Sequence, residues 1–403
     1  MRFLNQNNMK NIYLDNAATT KLDPRVYKKM KQYFLNDYAN ASSIHYMGEK
    51  VFNDMEDARK RIASILNCDP NGIIFTSSAT ESNDFIIKGV ARANKDKGNH
   101  ILVSAIEHHC VLSAAEQLEK EGFVVEKIPV DKDGIIILSE LEKMIKNETI
   151  LVSTMFVNNE IGTIQPIKEI SEIVHKKGKS LHVDAVQAVP YLNININGLG
   201  IDFLSLSAHK FYGPKGVGLA YINKAIKIEP LIVGGGQEKN LRSGTYNTPG
   251  IIGMAYALEL AYNTRDEYLK HVTELRDYMW DRIKSEIPDV YLNGSFNKRT
   301  PNNLNVGFKG IEGEAILMML STKGICVSTA SACGAQNLEV SHVISAIKLD
   351  DQNVNSNIRI TMGRFNTKKE IEYFVDTLKM VVKELRERSP LTKNIKTEKS
   401  FSC

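Results

Sequence analysis

The sequence is poor in the features that mark several large protein classes. Its five cysteines, Cys68, Cys110, Cys326, Cys333 and Cys403, are odd in number and form no Cys-x-x-Cys pair. That argues against a disulfide framework and against a zinc ribbon, and it fits a reducing, cytoplasmic compartment. No apolar run approaches the roughly 20 residues that a membrane-crossing helix needs. The opening MRFLNQNNMK has no apolar core of the kind a secretory leader requires. A dense Lys/Arg block is missing as well, and the net charge is only +4 over 403 residues, so no direct nucleic-acid partner is expected. Internal repeats and low-complexity tracts are also lacking. What remains is a soluble globular chain of ordinary composition, long enough for one large and one small domain.

Short apolar runs alternate with longer amphipathic ones from Ile12 onward. The runs Ile73–Phe75, Ile101–Val103, Val124–Ile128, Ile150–Phe156, Leu181–Val183, Phe203–Leu206 and Val217–Ile222 read as strands. Between them, Glu49–Leu66, Glu81–Asn94, Val111–Lys120, Leu138–Ile145 and Ile167–Lys176 carry helical periodicity. This alternation predicts an α/β fold: a mostly parallel central sheet covered by helices. Ligands in such folds bind at the carboxyl ends of the strands. Two long helical stretches follow, Ile251–Ala261 and Glu267–Ile283, and the last third mixes strands such as Asn303–Phe308 with helices such as Lys369–Leu385. The expected division is a large domain over 15–262 and a smaller α+β C-terminal domain from 1–14 and 263–403.

The stretch DFLSLSAHKFYGPKGVGLAYI, Asp202 to Ile222, sets Lys210 between two apolar strand-like runs. Lysine is almost never fully buried without a partner, so the ordinary reading is a surface residue at a strand end. The flanking Ser207, His209 and Gly-Pro turn favour a desolvated amine, which is a natural Schiff-base nucleophile.

Other segments place polar residues just past a predicted strand. Thr76-Ser77-Ser78-Ala79-Thr80-Glu81 precedes a helix and offers either plain capping or an anion site at the helix start. Asp184 follows Leu181–Val183, with Gln187 one turn on; it is a helix cap or the partner of a protonated pyridine nitrogen. His108 and His109 are adjacent, so they share no face and do not resemble a zinc pair; an imidazole lying on a cofactor ring is the better functional reading. Asn158 and Asn159 orient a ligand or form a turn. Arg359, inside a strand-like run, implies an anionic partner that is either a ligand carboxylate or a structural acid. In the small, mostly polar stretch Gly324–Asn337, Cys326 beside Ile325 and Val327 reads as a buried small hydrophobe. Cys333 reads as an accessible, reactive thiol on a mobile loop.

Taken together, these segments resemble the cysteine desulfurases of the NifS/IscS type, in the class V aminotransferase group of fold-type I pyridoxal 5′-phosphate (PLP) enzymes. The landmarks run from Tyr13-Leu14-Asp15-Asn16-Ala17-Ala18-Thr19-Thr20 through Ser78-Ala79-Thr80-Glu81-Ser82, Val157-Asn158-Asn159-Glu160, His182-Val183-Asp184-Ala185, Ser207-Ala208-His209-Lys210, Arg242-Ser243-Gly244-Thr245 and Ser331-Ala332-Cys333 to Arg359–Arg364. The resemblance implies PLP linked to Lys210, with Asp184 on the pyridine nitrogen, Gln187 on the ring hydroxyl and His108 stacked on the ring. It implies phosphate contacts from Ala79, Thr80, Ser207 and His209, and from Thr245 of a neighbouring copy in a homodimer. Asn40, Asn159 and Arg359 would hold the substrate, L-cysteine, with Asn159 also beside the cofactor. Cys333 would take the sulfur as a persulfide and leave alanine. Acceptor proteins, an iron–sulfur scaffold or a tRNA-thiolation enzyme, would receive it, Cys333 transiently touching a cluster on the scaffold; no intrinsic metal is implied.

The pattern departs from the family at Ala39-Asn40-Ala41-Ser42-Ser43, at Ala208 and at Gly334-Ala335-Gln336-Asn337; the last bears on the choice of acceptor. A selenocysteine lyase or other class V lyase or transaminase, and a non-catalytic scaffold for iron–sulfur assembly, are the competing readings.

Overall fold

A computed structural model describes residues 11–329, 340–347 and 354–389. The strands in chain order are β1 (Ile12–Tyr13), β2 (Ile73–Thr76), β3 (His100–Ser104), β4 (Val124–Ile128), β5 (Thr149–Met155), β6 (Ser180–Asp184), β7 (Phe203–Ser207), β8 (Gly218–Ile222), β9 (Val290–Leu292), β10 (Asn303–Phe308), β11 (Ile325–Cys326) and β12 (Asn357–Thr361). The α-helices are α1 (Pro24–Leu35), α2 (Tyr46–Leu66), α3 (Ala79–Ala93), α4 (His109–Lys120), α5 (Leu138–Met144), α6 (Ile167–Lys176), α7 (Ile196–Leu199), α8 (Thr248–Asn263), α9 (Arg265–Glu286), α10 (Gly313–Thr322), α11 (His342–Ala346) and α12 (Lys368–Arg388).

Seven strands form the large sheet in the order β2-β8-β7-β6-β5-β3-β4. The pairs from β7 through β4 are parallel, whereas β8 runs antiparallel to both β7 and β2. The sheet is therefore mostly parallel, as expected, and its strands are apolar runs buried on both faces, except at the edge strand β4, where Val124 and Lys127 are exposed. One face packs on α2, α6 and α8 through Val51, Ile62, Ile170 and Leu258. The other packs on α3 and α4 through Phe85, Ile86, Val111 and Leu118.

A second core gathers Leu275, Met279 and Ile283 of α9 with Leu304, Ile358, Ile360, Phe374 and Leu378, under the antiparallel sheet β12-β10-β9. Ile12 and Leu14 belong to this core as well, because β1 pairs with β11 in the register Ile12↔Ile325 and Tyr13↔Cys326. One expectation fails here: Cys326 is exposed. Side chains alternate along an extended chain, so Ile325 and Val327 turn inward and the residue between them turns out. Cys333 and Cys403 lie outside the described residues. Among the described residues, no helix is long and apolar enough to cross a membrane.

Candidate active site

The site forms where β5, β6 and β7 end. Past β7 the chain makes a short 3-10 turn, Ala208–Lys210, closed by Phe211 and Gly213 amides donating to the Ala208 carbonyl. Lys210 leaves this turn half-buried, and its Nζ donates to the carbonyls of Ala17 at 2.6 Å and Ala18 at 2.8 Å. The loop between β1 and α1 therefore faces Lys210 with its backbone. Gln187 joins the same loop through Nε2, which donates to Ala17 at 2.8 Å.

Asp184 closes β6 and is buried. Its Oδ1 accepts the Val186 amide at 3.0 Å and its Oδ2 accepts Asn83 Nδ2 at 2.8 Å. These donors are neutral, and burial pushes the Asp184 pKa up, partly offset by these two hydrogen bonds and then by Lys210. Asn83 projects from α3, whose start is capped by Ser78 Oγ accepting the Glu81 amide at 3.2 Å. The free N–H groups of that first turn favour an anion. Strand β8 passes directly beneath the turn: a Cβ on Gly218 would lie 2.5 Å from the Ser78 carbonyl carbon, so only glycine fits.

His108 caps α4, its Nδ1 accepting the Cys110 amide at 3.2 Å with the Cys110 thiol 3.0 Å away. Burial, then Lys210, lowers its pKa to about 4. A neutral ring that accepts at Nδ1 carries its proton on Nε2. His109 instead packs edge-on against His342 at 4.8 Å. His209 places Nδ1 3.0 Å from Thr19 Oγ1, and burial lowers its pKa to about 4 as well.

Arg359 reaches the cleft from β12 and is only 1% exposed. Its guanidinium pairs with Asp15 at 2.7 Å and donates to the Asn159 carbonyl at 3.1 Å, while its Nε has no acceptor among the described residues. A structural acid is therefore present, and the side chain also lines the cleft.

The cleft, about 780 Å³ including its open mouth, is lined by Lys210, Asp184, Gln187, His108, His209, Ser207, Ser78, Ala79, Thr80, Asn159 and Arg359. Asn40 and Thr245 are not among its lining. Asn40 is exposed and its Oδ1 caps the Ser42 amide, and Thr245 borders a separate cavity with Arg242 and Glu238. Two lining or neighbouring groups escaped the sequence reading. The Cys110 thiol sits in the wall beside Asn83 at 3.2 Å, with its pKa pushed up to about 12 by burial. Glu107 is fully buried, accepts the Met155 amide on Oε1 and has no partner for Oε2 among the described residues; burial and Asp184 raise its pKa well above the usual carboxylate range. Among the described residues, no group of three His, Cys, Asp or Glu side chains is placed to hold a metal ion.

The aminotransferase class-V family profile matches residues 12–374. The chain belongs to that family. A cysteine desulfurase IscS from Dictyoglomus turgidum is 47% identical over 388 residues, covering 96% of this chain and 98% of its own length. A cysteine desulfurase IscS from Methanosarcina thermophila is 45% identical, covering 95% of each chain. Among solved structures, a NifS-like protein superposes with a TM-score of 0.88 at 39% identity, over 93% of this chain and all of its own. A structure described as SspA in complex with cysteine gives a TM-score of 0.79 at 34% identity, over 88% of this chain and 100% of its own.

Class V aminotransferase enzymes depend on PLP, and the cleft fits that group. A buried carboxylate with neutral donors suits a protonated pyridine nitrogen, a capped helix start suits a phosphate, and the Lys210 amine lines the same cleft.

Proposed function

We propose that this protein is a cysteine desulfurase, a PLP-dependent transferase that takes sulfur from L-cysteine and leaves L-alanine. The observation that carries the reading is the convergence of Lys210, Asp184 and Arg359 in one cleft. Those three groups match an aldehyde, a pyridinium and a carboxylate respectively. The full-length likeness to cysteine desulfurases supports the choice of substrate.

Lys210, Asp184, Gln187, Ser207, His209, Ala79 and Thr80 would hold the cofactor, with His108 flat on its ring. When bound, PLP supplies an electron sink for charge developing at the substrate Cα. The chain's own residues do the rest. Arg359 binds the substrate carboxylate, with Asn159 and Asn40 beside it, and its orphaned Nε gives a direction still open to an acceptor. Lys210 Nζ moves the Cα proton. His108, neutral with its proton on Nε2, offers the cleft a hydrogen-bond donor at ordinary pH. Cys333 attacks the substrate sulfur as a thiolate. The Cβ–S bond breaks, its electron pair passes to Cβ, which takes up a proton to complete alanine, and the sulfur stays on Cys333 as a persulfide.

We assign 15–262 to a large cofactor-binding domain and 1–14 with 263–403 to a small domain that carries Cys333. The protein acts as a homodimer in this reading. Phe34, Leu35, Tyr38, Ile44, Tyr46 and Phe52 are exposed around the end of α1 and the start of α2, a surface that a second copy would cover, and in this reading Thr245 serves the cleft of the neighbouring copy. The persulfide is passed to acceptor proteins of iron–sulfur cluster assembly or tRNA thiolation in a reducing cytoplasm, consistent with Cys68, Cys110 and Cys326 as free thiols.

The test is turnover of purified, PLP-loaded protein on L-cysteine with a reducing thiol present. Alanine and sulfide should appear in equal amounts, and Cys333→Ser should abolish both while retaining the cofactor. No alanine from cysteine would sink the proposal.

A further inference from the structure

Two residues beyond Lys210 the chain adopts a conformation that its side chain disfavours. Tyr212 has φ 66°, in the left-handed region where a bulky residue is an outlier that its surroundings must enforce. Those surroundings come from both domains. On the large-domain side, Thr20 straddles the turn: its Oγ1 donates to the His209 carbonyl at 2.9 Å and accepts the Tyr212 amide at 2.8 Å. The Asp23 amide donates to the Tyr212 carbonyl at 3.0 Å. Thr20 and Asp23 lie on the loop whose Ala17 and Ala18 carbonyls receive Lys210 Nζ.

On the small-domain side stands Arg364, five residues past Arg359. Its guanidinium lies 4.0 Å above the Tyr212 ring and pairs with Asp23 at 2.8 Å. Its backbone amide donates to the Tyr212 hydroxyl at 2.8 Å, and that hydroxyl donates in turn to Tyr268 of α9 at 3.3 Å. The fit is close, since a Cβ on Gly363 would lie 2.6 Å from the Tyr212 hydroxyl oxygen. One guanidinium therefore grips both the strained residue and the acid that anchors the loop over Lys210.

We propose that Arg364, acting through Tyr212, is a positioning residue for Lys210: the Arg364–Tyr212–Asp23 clamp holds the turn so that the amine stays aimed into the cleft. A partly buried guanidinium on a ring, paired to an acid, resists displacement from several directions at once. Because β12 carries Arg359 to the substrate side and leads into Arg364 on the far side, the small domain contacts both ends of the reaction. The inference rests on Lys210 being the cofactor lysine.

The experiment compares PLP-loaded wild type, Arg364→Ala, Arg364→Lys and Tyr212→Phe by visible circular dichroism of the bound cofactor, by kcat and KM for L-cysteine, and by Tm. Arg364→Ala should lose most of the visible dichroism and about tenfold to a hundredfold in kcat, the scale of a small misplacement of a reacting group. KM should move little, and Arg364→Lys should recover part of both losses. Tyr212→Phe keeps the ring and its guanidinium contact, so it should fold even if Arg364→Ala does not; it should shift the dichroism the same way by a smaller amount. If the variants lower Tm alone, with dichroism and kcat as in wild type, the clamp is only structural and the inference is overturned. If wild type itself shows no cofactor signal from Lys210, the functional reading beneath it falls, and the inference with it.

Discussion

The wall of the cleft supplied by the seven-stranded sheet and the wall supplied by β12 handle charge in opposite ways. On the sheet side, His108 and His209 are buried into neutrality and Asp184 is held by an amide and a side-chain amide rather than a cation. On the β12 side, Arg359 and Arg364 are each paired with an acid at close range, Asp15 at 2.7 Å and Asp23 at 2.8 Å. The first wall is poised to receive a charged ligand, since bringing a cation to Asp184 relieves a desolvation cost that burial alone imposes. The second wall is already compensated, so it can orient a ligand without depending on one.

That contrast predicts a graded set of outcomes. Lys210→Ala should lower kcat by at least about a thousandfold, as removal of a covalent-catalysis group does, with loss of the cofactor's absorbance. Asp184→Asn keeps the shape but removes the charge that the sheet wall holds for the ligand; about a hundredfold loss of kcat is expected, comparable to deleting one preorganised electrostatic contact. Arg359→Lys breaks the fork and leaves Asp15 in place, so it should act mainly on KM for L-cysteine, with kcat/KM down about tenfold to a hundredfold.

The two walls should also separate in pH. His108 and His209 each have a folded pKa of about 4 against 6.5. The unfolded chain therefore binds protons first, and stability present above pH 6.5 is lost as pH falls from there to about 4. Asp23 has its pKa lowered from 3.8 to about 2, chiefly by its hydrogen bond from Arg25, so its contribution is full above 3.8 and disappears only as pH falls toward 2. Acid unfolding followed by circular dichroism should show His108→Asn flattening the upper window and Asp23→Asn the lower one. The smallest effect belongs to a surface pair remote from either wall: Arg282→Ala, which removes the contacts to Glu286 and Asp376, should cost roughly 0.5 kcal/mol or less in urea unfolding.

The sheet wall was legible in the sequence because its residues sit directly after apolar runs, and the runs are the strands. Lys210, Asp184, His108 and the Ser78–Thr80 turn could each be placed at a strand end before any fold was known. Arg359 was legible as an arginine in need of an anion, and through the resemblance as a substrate contact, but its partners Asp15 and Asn159 were not, because they lie 344 and 200 positions away in sequence. The Ala17 and Ala18 carbonyls left no mark, since every residue has a carbonyl and only the fold aims these two. Glu107 stood in plain view beside His108, yet nothing local shows that it is buried and within electrostatic reach of Asp184. Helix α1 did have a signal that went unused: Asp23 followed by Pro24, a capping acid with proline in the first turn. Cys326 was misread because hydrophobic neighbours on both sides suggest burial in a helix or loop, whereas in an extended chain they imply the opposite face.

The central claim is that the amine of Lys210, and no other, carries the cofactor in this cleft. Borohydride reduction of the PLP-loaded protein, followed by peptide mapping, tests it most directly. The account predicts a pyridoxyl group on the peptide containing Lys210 and none anywhere in Lys210→Ala. A pyridoxyl group on a different lysine, or none in wild type, would contradict it.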